Sequence, residues 1–421
     1  MITGRGVLSP LGIGVARTVF GLLVNEVAIR PAPWRDGSGK LGRWWLTVPG
    51  FQPGDWVDGK VLRGTDLFAQ LAIAAAQQAV DESGLTSLPV RRTAVVHGTS
   101  MGGMSTLLRA QHALDSAGPE AIDRKSVIKF WPNIAAAQIA MRWNLHGPQV
   151  TLCSACAASI DSIGTAARMI ADGRADVAIA GGTEGGFELP ADGSGFVPAN
   201  FPCFAALGLE STESDQLRAV LPFDRNRSGI AIADGSAMFV LKSAAHARNR
   251  GATVFAEIAG YASLADGHHP SAPEPSGSWE AETMCDALGD AGLEPPDVDA
   301  IVAHAAGTQK GDAAEIRAIN YAYRHRRNTV LVTSLKGHLG HTGAASGAIS
   351  VLGGLCALTD GVLPNVVGTR DVDPEVGFDV VLDKPRAVDA SVVQVNAFGL
   401  GGQNASLVIK RPHSGRKGAA A

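Results

Sequence analysis

Cysteine, histidine and lysine at three junctions rich in small residues are those whose types and spacing could do covalent chemistry in this chain. The run T-L-C-S-A-C-A-A-S starts at Thr151: a strand-like approach leads to Cys156, small residues flank it, and an apolar helical pattern follows. A thiol at a helix N-terminus meets backbone N–H groups and the positive end of the dipole, so a stabilised thiolate is expected there. The same donors could supply half of an oxyanion hole. The plainer reading is a buried, inert cysteine, the usual fate of a free one. Cys153 forms C-x-x-C with Cys156, but no second ligand pair stands at similar spacing, which disfavours zinc, and the surrounding pattern disfavours a thioredoxin-like centre.

Two histidines strengthen the nucleophile reading. His304 follows the apolar run A-I-V-A and opens A-A-G-T-Q-K-G-D, and His341 lies in S-L-K-G-H-L-G-H-T-G after another strand-like run. The carboxyl ends of strands are where α/β sheets place ligand sites. Lys336, two residues after Ser334, could balance charge beside His341, while His338 reads as a loop residue without a role. The run N-A-F-G-L-G-G-Q-N from Asn396 adds a glycine turn, where the Phe398 N–H could be a second oxyanion donor and its ring could cover the thiol. No G-K-[ST] or strand–G-x-G-x-x-G–helix pattern occurs, so these glycines are not read as a phosphate cradle.

The elements that must position these groups alternate between short apolar runs and helical patterns, an α/β signature. Arg92–Val96 predicts a buried strand, Asp66–Ser83 an alanine-rich helix capped by Gly84, and Ile160, Ile163, Ala167 and Ile170 share one face of the helix after Cys156. An internal echo suggests a duplicated unit. Val150-Thr151 and Val332-Thr333 each enter a small-residue helix ending in D-G, and the runs from Thr93 and Asp299 resemble one another. The basic stretch Ala244–Thr253 marks the boundary, giving halves at 1–245 and 246–412. The segment Phe187–Arg227 reads as loops, and 413–421 as a disordered tail.

Composition narrows the setting. With 46% hydrophobic residues the chain is too apolar for disorder, and a net charge of -4 gives no case for nucleic acid. Five cysteines in 421 residues do not form a disulfide framework. Neither a leader pattern nor an apolar run of membrane-spanning length is evident, so no membrane association and a cytoplasmic location are expected.

Taken together, the elbow Cys156, H-x-x-G-T from His304, K-x-x-x-x-H from Lys336 and N-x-F-G-x-G-G from Asn396 resemble the β-ketoacyl-acyl-carrier-protein synthases of the thiolase superfamily. The likeness extends from I-T-G-R-G-V-L-S-P-L-G through A-D-V-A-I-A-G-G-T-E and L-P-F-D-R-N-R-S-G-I-A-I-A-D-G to the final glycine loop. The resemblance implies a duplicated, five-layered αβαβα fold, usually dimeric. It implies that Cys156 takes an acyl chain from a carrier-protein thioester, that His304 and His341 stabilise the enolate formed when malonyl loses CO2, and that Lys336 supports them. Phe398 would be the gate, and Thr308 would meet the pantetheine arm. No cofactor or metal is implied beyond the carrier's own phosphopantetheine. The acidic carrier protein would dock on a basic rim, for which Arg124, Lys125, Lys60 and Arg63 are candidates, and Met104–Leu108 are candidates for the acyl pocket wall.

Two departures point away from ordinary fatty-acyl substrates. Ala306 stands where many members carry a threonine, and Ser350 where many fatty-acid synthases carry a glutamate, which resembles polyketide enzymes more closely. Polyketide or polyene synthesis is therefore expected, with primary fatty-acid elongation as the alternative, and the dimer partner is either a second copy or a chain-length-factor-like subunit. A chain-length factor itself is disfavoured because Cys156 is present. A thiolase would need another cysteine in the final glycine loop, and a starter-type synthase an Asn where His341 stands.

Overall fold

A computed structural model describes residues 1–33, 42–186, 197–200 and 202–412. Ten strands carry the architecture. In the first half these are β1 (Ile2–Ser9), β2 (Thr93–Gly98), β3 (Gln149–Leu152), β4 (Val177–Glu184) and β5 (Gly235–Lys242). In the second they are β6 (Glu257–Ala265), β7 (Ala300–Val302), β8 (Leu331–Thr333), β9 (Val392–Gly399) and β10 (Gln403–Lys410).

The two sheets share one topology. The first runs β1-β5-β4-β2-β3 and the second β6-β10-β9-β7-β8. In each, the two pairings at the first-named edge are antiparallel, as is no other pairing among the five; β4-β2-β3 and β9-β7-β8 are parallel. Gly12–Ile13 extends the first sheet beside β1, whereas Asp379–Val380 extends the second beside β8. The sequence echo therefore maps strand for strand: β2 onto β7 and β3 onto β8.

Five helices fill the layers: α1 (Leu67–Glu82), α2 (Ala158–Ala171), α3 (Ser278–Ala291), α4 (Gln309–Ala322) and α5 (Ser346–Leu355). Helix α1 covers the outer face of the first sheet, α3 and α4 the outer face of the second, and α2 and α5 lie between the sheets. This is the expected αβαβα stack. The alanine-rich surface of α1 lets it lie close over the sheet, where Phe68, Leu71 and Ile73 pack with Val95, Ile179 and Val240. Ile160 and Ile163 of α2 meet Ile349 and Leu352 of α5 in the central core. Burying each such side chain contributes about 2 kcal/mol, so this shared layer welds the halves. Ala167 and Ile170, further along α2, are only half-buried.

Both central helices stop at the same signal. Helix α2 ends at Asp172 with Gly173 at φ +69°, and the helical run continuing α5 ends at Asp360 with Gly361 at φ +68°. Glycine takes these left-handed positions without a Cβ penalty. That second run corrects one expectation: Gly343–Asp360 is long and apolar enough by composition to cross a membrane, yet 83% of it is buried within the protein. Its apolarity reflects its place between two sheets.

The boundary stretch forms a short helix, Ala244–Asn249, between β5 and β6. Of the segment read as loops, 187–196 and 201 lie outside the described residues; the rest includes short helical turns at Pro202–Ala206 and Gln216–Arg218. The tail 413–421 also lies outside them. All five cysteines are free thiols.

Candidate active site

Cys156 sits in a tight turn, Ala155–Ala157, between β3 and α2. Ala155 has φ +49°, a left-handed conformation that an alanine adopts only when its surroundings impose it. The elbow is held from two sides. Ser154 Oγ donates to Asp161, whose other oxygen accepts from Tyr261 Oη at 2.7 Å, tying α2 to β6. Gly399 lies against the elbow from the second half, where a Cβ would come within 3.2 Å of Cys156 N and Ser154 O. Glycine lets the final loop approach this closely without pushing the elbow aside.

From the second half come the two imidazoles. His304 follows β7, and His341 follows the short helix Lys336–Leu339 beyond β8. The His341 backbone is clamped to the first half: its N–H donates to Ala231 O at 2.7 Å and its carbonyl accepts from Ala233 N at 3.0 Å. The rings of His304 and His341 meet edge to face at 5.4 Å, and the Phe398 ring lies 6.1 Å from His304. The Cys156 sulfur and a nitrogen of each imidazole all fall within 4.8 Å of one another.

The tautomer of His341 follows from its partners. Nδ1 accepts the Gly343 N–H at 3.1 Å, and the Ser346 hydroxyl lies 2.8 Å from the same nitrogen. Because a backbone N–H can only donate, Nδ1 is the acceptor, and the neutral ring carries its proton on Nε2. Both rings are neutral. Burial and then the Lys336 charge hold His304 and His341 well below the usual imidazole range.

Lys336 is buried, and its ammonium donates to the His304 carbonyl. Burial pulls this amine down, against the nearby acidic groups of Glu315 and Asp312 that hold it up. Glu315 reaches from α4 and accepts the N–H groups of His304 at 2.8 Å and Ala305 at 2.6 Å. Ser350, where a glutamate was noted as missing, is buried on α5, so the carboxylates facing Lys336 come from α4 instead.

The thiolate expectation is overturned. Burial pushes the Cys156 thiol up to about 11, outweighing the Lys336 charge and the Leu400 N–H that pull the other way. Removing a charge from water costs more than a helix end and one ammonium return here. His338 is likewise no loop residue. It lies buried in the short helix, with Nδ1 3.0 Å from Glu26 O and Nε2 2.8 Å from Asn365 O, and so pins separate segments together.

A cavity of about 600 Å3 leads to this cluster, with Cys156, His304, His341, Phe398 and Thr308 on its wall. Thr308 also caps α4, accepting from Gly311 N. Ala306, Ile230 and Ile232 form an apolar side, with Met101 and Phe204 packed on it. Met104–Leu108 do not line the cavity; they open the helix Met104–Ala117, and Ser100 and Met101 just before it are on the wall instead. Arg124 precedes the helix Ser126–Phe130, and Lys60 and Arg63 belong to or follow the helix Gly59–Leu62. These three are exposed, Lys125 is half-buried, and none of the four lines the cavity. At its wall the lysine is Lys310.

The Beta-ketoacyl synthase N-terminal domain matches residues 1–247, and the Beta-ketoacyl synthase C-terminal domain residues 255–370. The chain belongs to the β-ketoacyl synthase family. It is 33% identical to a 3-oxoacyl-[acyl-carrier-protein] synthase 2 of Coxiella burnetii over 98% of both chains, and 32% identical to that of Vibrio harveyi over the same shares. Among solved structures it resembles the ishigamide ketosynthase/chain length factor, with a TM-score of 0.89 and 30% identity, covering 98% of both chains. A β-ketoacyl synthase from Burkholderia phymatum gives 0.88 and 31% over the same shares. This synthase is therefore a condensing enzyme of the acyltransferase type.

Several positioning groups of the synthase escape a reading of its motifs. Glu184, buried at the end of β4, accepts from Ser100 N at 3.1 Å, Met101 N at 3.2 Å and Thr99 Oγ1 at 3.1 Å, and from Ala344 N of the second half at 3.3 Å. A charged residue closing a run as apolar as V-A-I-A-G-G was its only signal. Ser346 and Glu315 sit at helical positions with no distinguishing pattern around them.

Proposed function

We propose that this chain catalyses decarboxylative Claisen condensation on a carrier protein, with Cys156 as the nucleophile. The observation that carries the reading is the convergence of Cys156, His304 and His341 within 4.8 Å at the wall of one cavity. The Cys156 sulfur attacks an acyl thioester, the new C–S bond forms, and the carrier thiol leaves with the proton. A malonyl thioester then loses CO2, and its carbonyl oxygen becomes an enolate facing His304 and His341. The His341 Nε2–H donates to that oxygen. The enolate carbon attacks the acyl-Cys156 carbonyl, forming the C–C bond and breaking the C–S bond, and the Cys156 thiolate released takes a proton from solvent. The backbone N–H groups of Cys156 and Phe398 hold that second oxyanion, and Phe398 is the gate over the thiol. The chemistry uses the side chains and the thioesters alone, without a further cofactor.

The partner in this reading is an acidic acyl carrier protein, whose pantetheine arm passes Thr308; Arg124, Lys125, Lys60 and Arg63 attract it from outside the cavity. One solved structure that resembles this chain, at 25% identity, is a type II polyketide synthase acyl-carrier protein in complex with its ketosynthase. The setting is polyketide or polyene synthesis in the cytoplasm, supported by Ala306 and Ser350, with a second copy or a chain-length-factor-like subunit as dimer partner. The names of the curated relatives favour the other setting, fatty-acid elongation.

Intact-protein mass spectrometry after incubation with acyl-carrier thioesters tests the nucleophile. The wild type gains one acyl mass, and Cys156→Ala gains none while keeping its fold. An acylated Cys156→Ala variant would overturn the assignment.

A further inference from the structure

Five acidic residues gather where the second half meets the cavity, and four of them are well satisfied. Glu274 accepts from Ser276 N at 3.0 Å and from the Ser278 hydroxyl at 3.1 Å. Asp266 accepts from Asn404 Nδ2 at 2.6 Å and Glu274 N at 2.9 Å. Asp312 accepts from Phe223 N and Gly307 N, both at 2.9 Å, and Glu315 from the His304 and Ala305 amides.

Glu280, in the first turn of α3, is the exception. It is 2% exposed, it lines the same cavity as Cys156, and its Oε2 has no hydrogen-bond partner among the described residues. A buried carboxyl oxygen left without a partner is costly, and an apolar side chain of similar size would avoid that cost. Among the described residues the neighbouring charges form no cation site, because no three carboxylate oxygens or other donors around Glu280 cluster as those of Cys156, His304 and His341 do. Burial, then the charges of Glu315, Asp266, Asp312 and Glu274, push its carboxyl well above the usual range, which favours the protonated form that can donate. The catalytic steps above make no use of it.

We propose that Glu280 hydrogen-bonds an oxygen function of the thioester substrate, so that the cavity selects acyl groups bearing keto or hydroxyl oxygens over saturated chains. This rests on the condensation reading and adds the substrate class. A site built around a hydrogen-bonding group rejects analogues that lack the matching atom far more strongly than an apolar pocket rejects an extra one. An amide oxygen of the tethering arm offers the same chemistry, and the test separates the two sources.

The experiment measures kcat/KM for Cys156 acylation by pantetheine thioesters of two acyl groups of equal length, one saturated and one carrying a keto or hydroxyl oxygen. Each is also presented on an arm truncated to an ethanethiol thioester, which carries no amide. The wild type favours the oxygenated group by about tenfold or more on both arms. Glu280→Leu brings that ratio close to one, and Glu280→Gln, which keeps a donor and an acceptor, restores part of it. If the arm amide is the partner, Glu280→Leu instead slows both acyl groups alike on the full arm and neither on the truncated one. Circular dichroism confirms that the variants compared are folded. A folded Glu280→Leu or Glu280→Gln with wild-type ratios and rates on both arms would overturn the proposal alone. Failure of the wild type to acylate with any thioester would overturn the condensation reading, and this proposal with it.

Discussion

The two halves of this synthase place different chemistry at equivalent junctions of one topology. After β3 the chain makes a strained elbow and presents a single thiol; after β8 it presents Lys336 and His341 before an equivalent central helix. After β2 the loop from Thr99 to Met101 is tied down by Glu184, whereas after β7 the loop carries His304 and is tied down by Glu315. Each half thus uses a buried carboxylate to fix a loop by its backbone amides. The first half devotes its junctions to geometry around a nucleophile, and the second to donors and charge. On the proposed condensation, a duplicated scaffold separates covalent capture from enolate stabilisation, because the sheet ends of both copies converge on one cavity.

The sharpest division concerns Cys156 itself. Cys156→Ala abolishes acylation, the largest effect expected. The wild-type protein gives a subtler check: with the thiol raised to about 11, acylation accelerates by about tenfold per pH unit between about pH 6 and 9. The same shift acts on stability. Above the ordinary value of 9.0 the unfolded chain loses its proton first, so stability falls as pH rises toward about 11, and Cys156→Ala removes that slope. An acylation rate already flat near neutral pH would show that the elbow, rather than burial, governs the thiol.

On the other side of the comparison, Lys336→Met strips the cation that faces Glu315 and Asp312. Leaving those buried carboxylates without it destabilises the fold by about 3 kcal/mol, measured by denaturant unfolding. Decarboxylation falls by about 10- to 100-fold. Unchanged stability would mean that the carboxylates are already neutral. Ser346→Ala is the smallest perturbation. It removes one donor to His341 Nδ1 but leaves the Gly343 N–H, so decarboxylation falls about fivefold, equivalent to about 1 kcal/mol. A loss as large as that of removing the imidazole would show that the serine alone sets the tautomer.

How much of this was legible in the sequence depends on whether a residue stands in a junction or within an element. Cys156 stands in a junction of small residues, and His304, Lys336, His341 and Phe398 in glycine-rich ones, so their motifs could be read directly. The duplication was visible at two strand pairs for the same reason, and both map onto equivalent strands. Glu184, Glu315, Ser346 and Glu280 stand in strands or helices with no motif around them; Ser346 and Glu315 hold residues only five to eleven positions away, whereas Glu184 acts across distant segments. The state of the thiol was misread because a helix terminus is a local feature, whereas burial is a property of the assembled halves. His338 was misread likewise: its partners, Glu26 O and Asn365 O, are far away in sequence. The membrane-length apolar run at 343–360 shows the converse, since a helix between two sheets needs apolar residues on every side.

The division of labour between the halves is tested most directly by His341→Ala, with two rates measured on one preparation: acyl transfer to Cys156 by intact mass, and CO2 release from a malonyl thioester. The account predicts that decarboxylation falls by about 100-fold or more while acylation changes by less than about tenfold. Equal loss of both rates would contradict it, placing His341 in service of the thiol rather than the enolate.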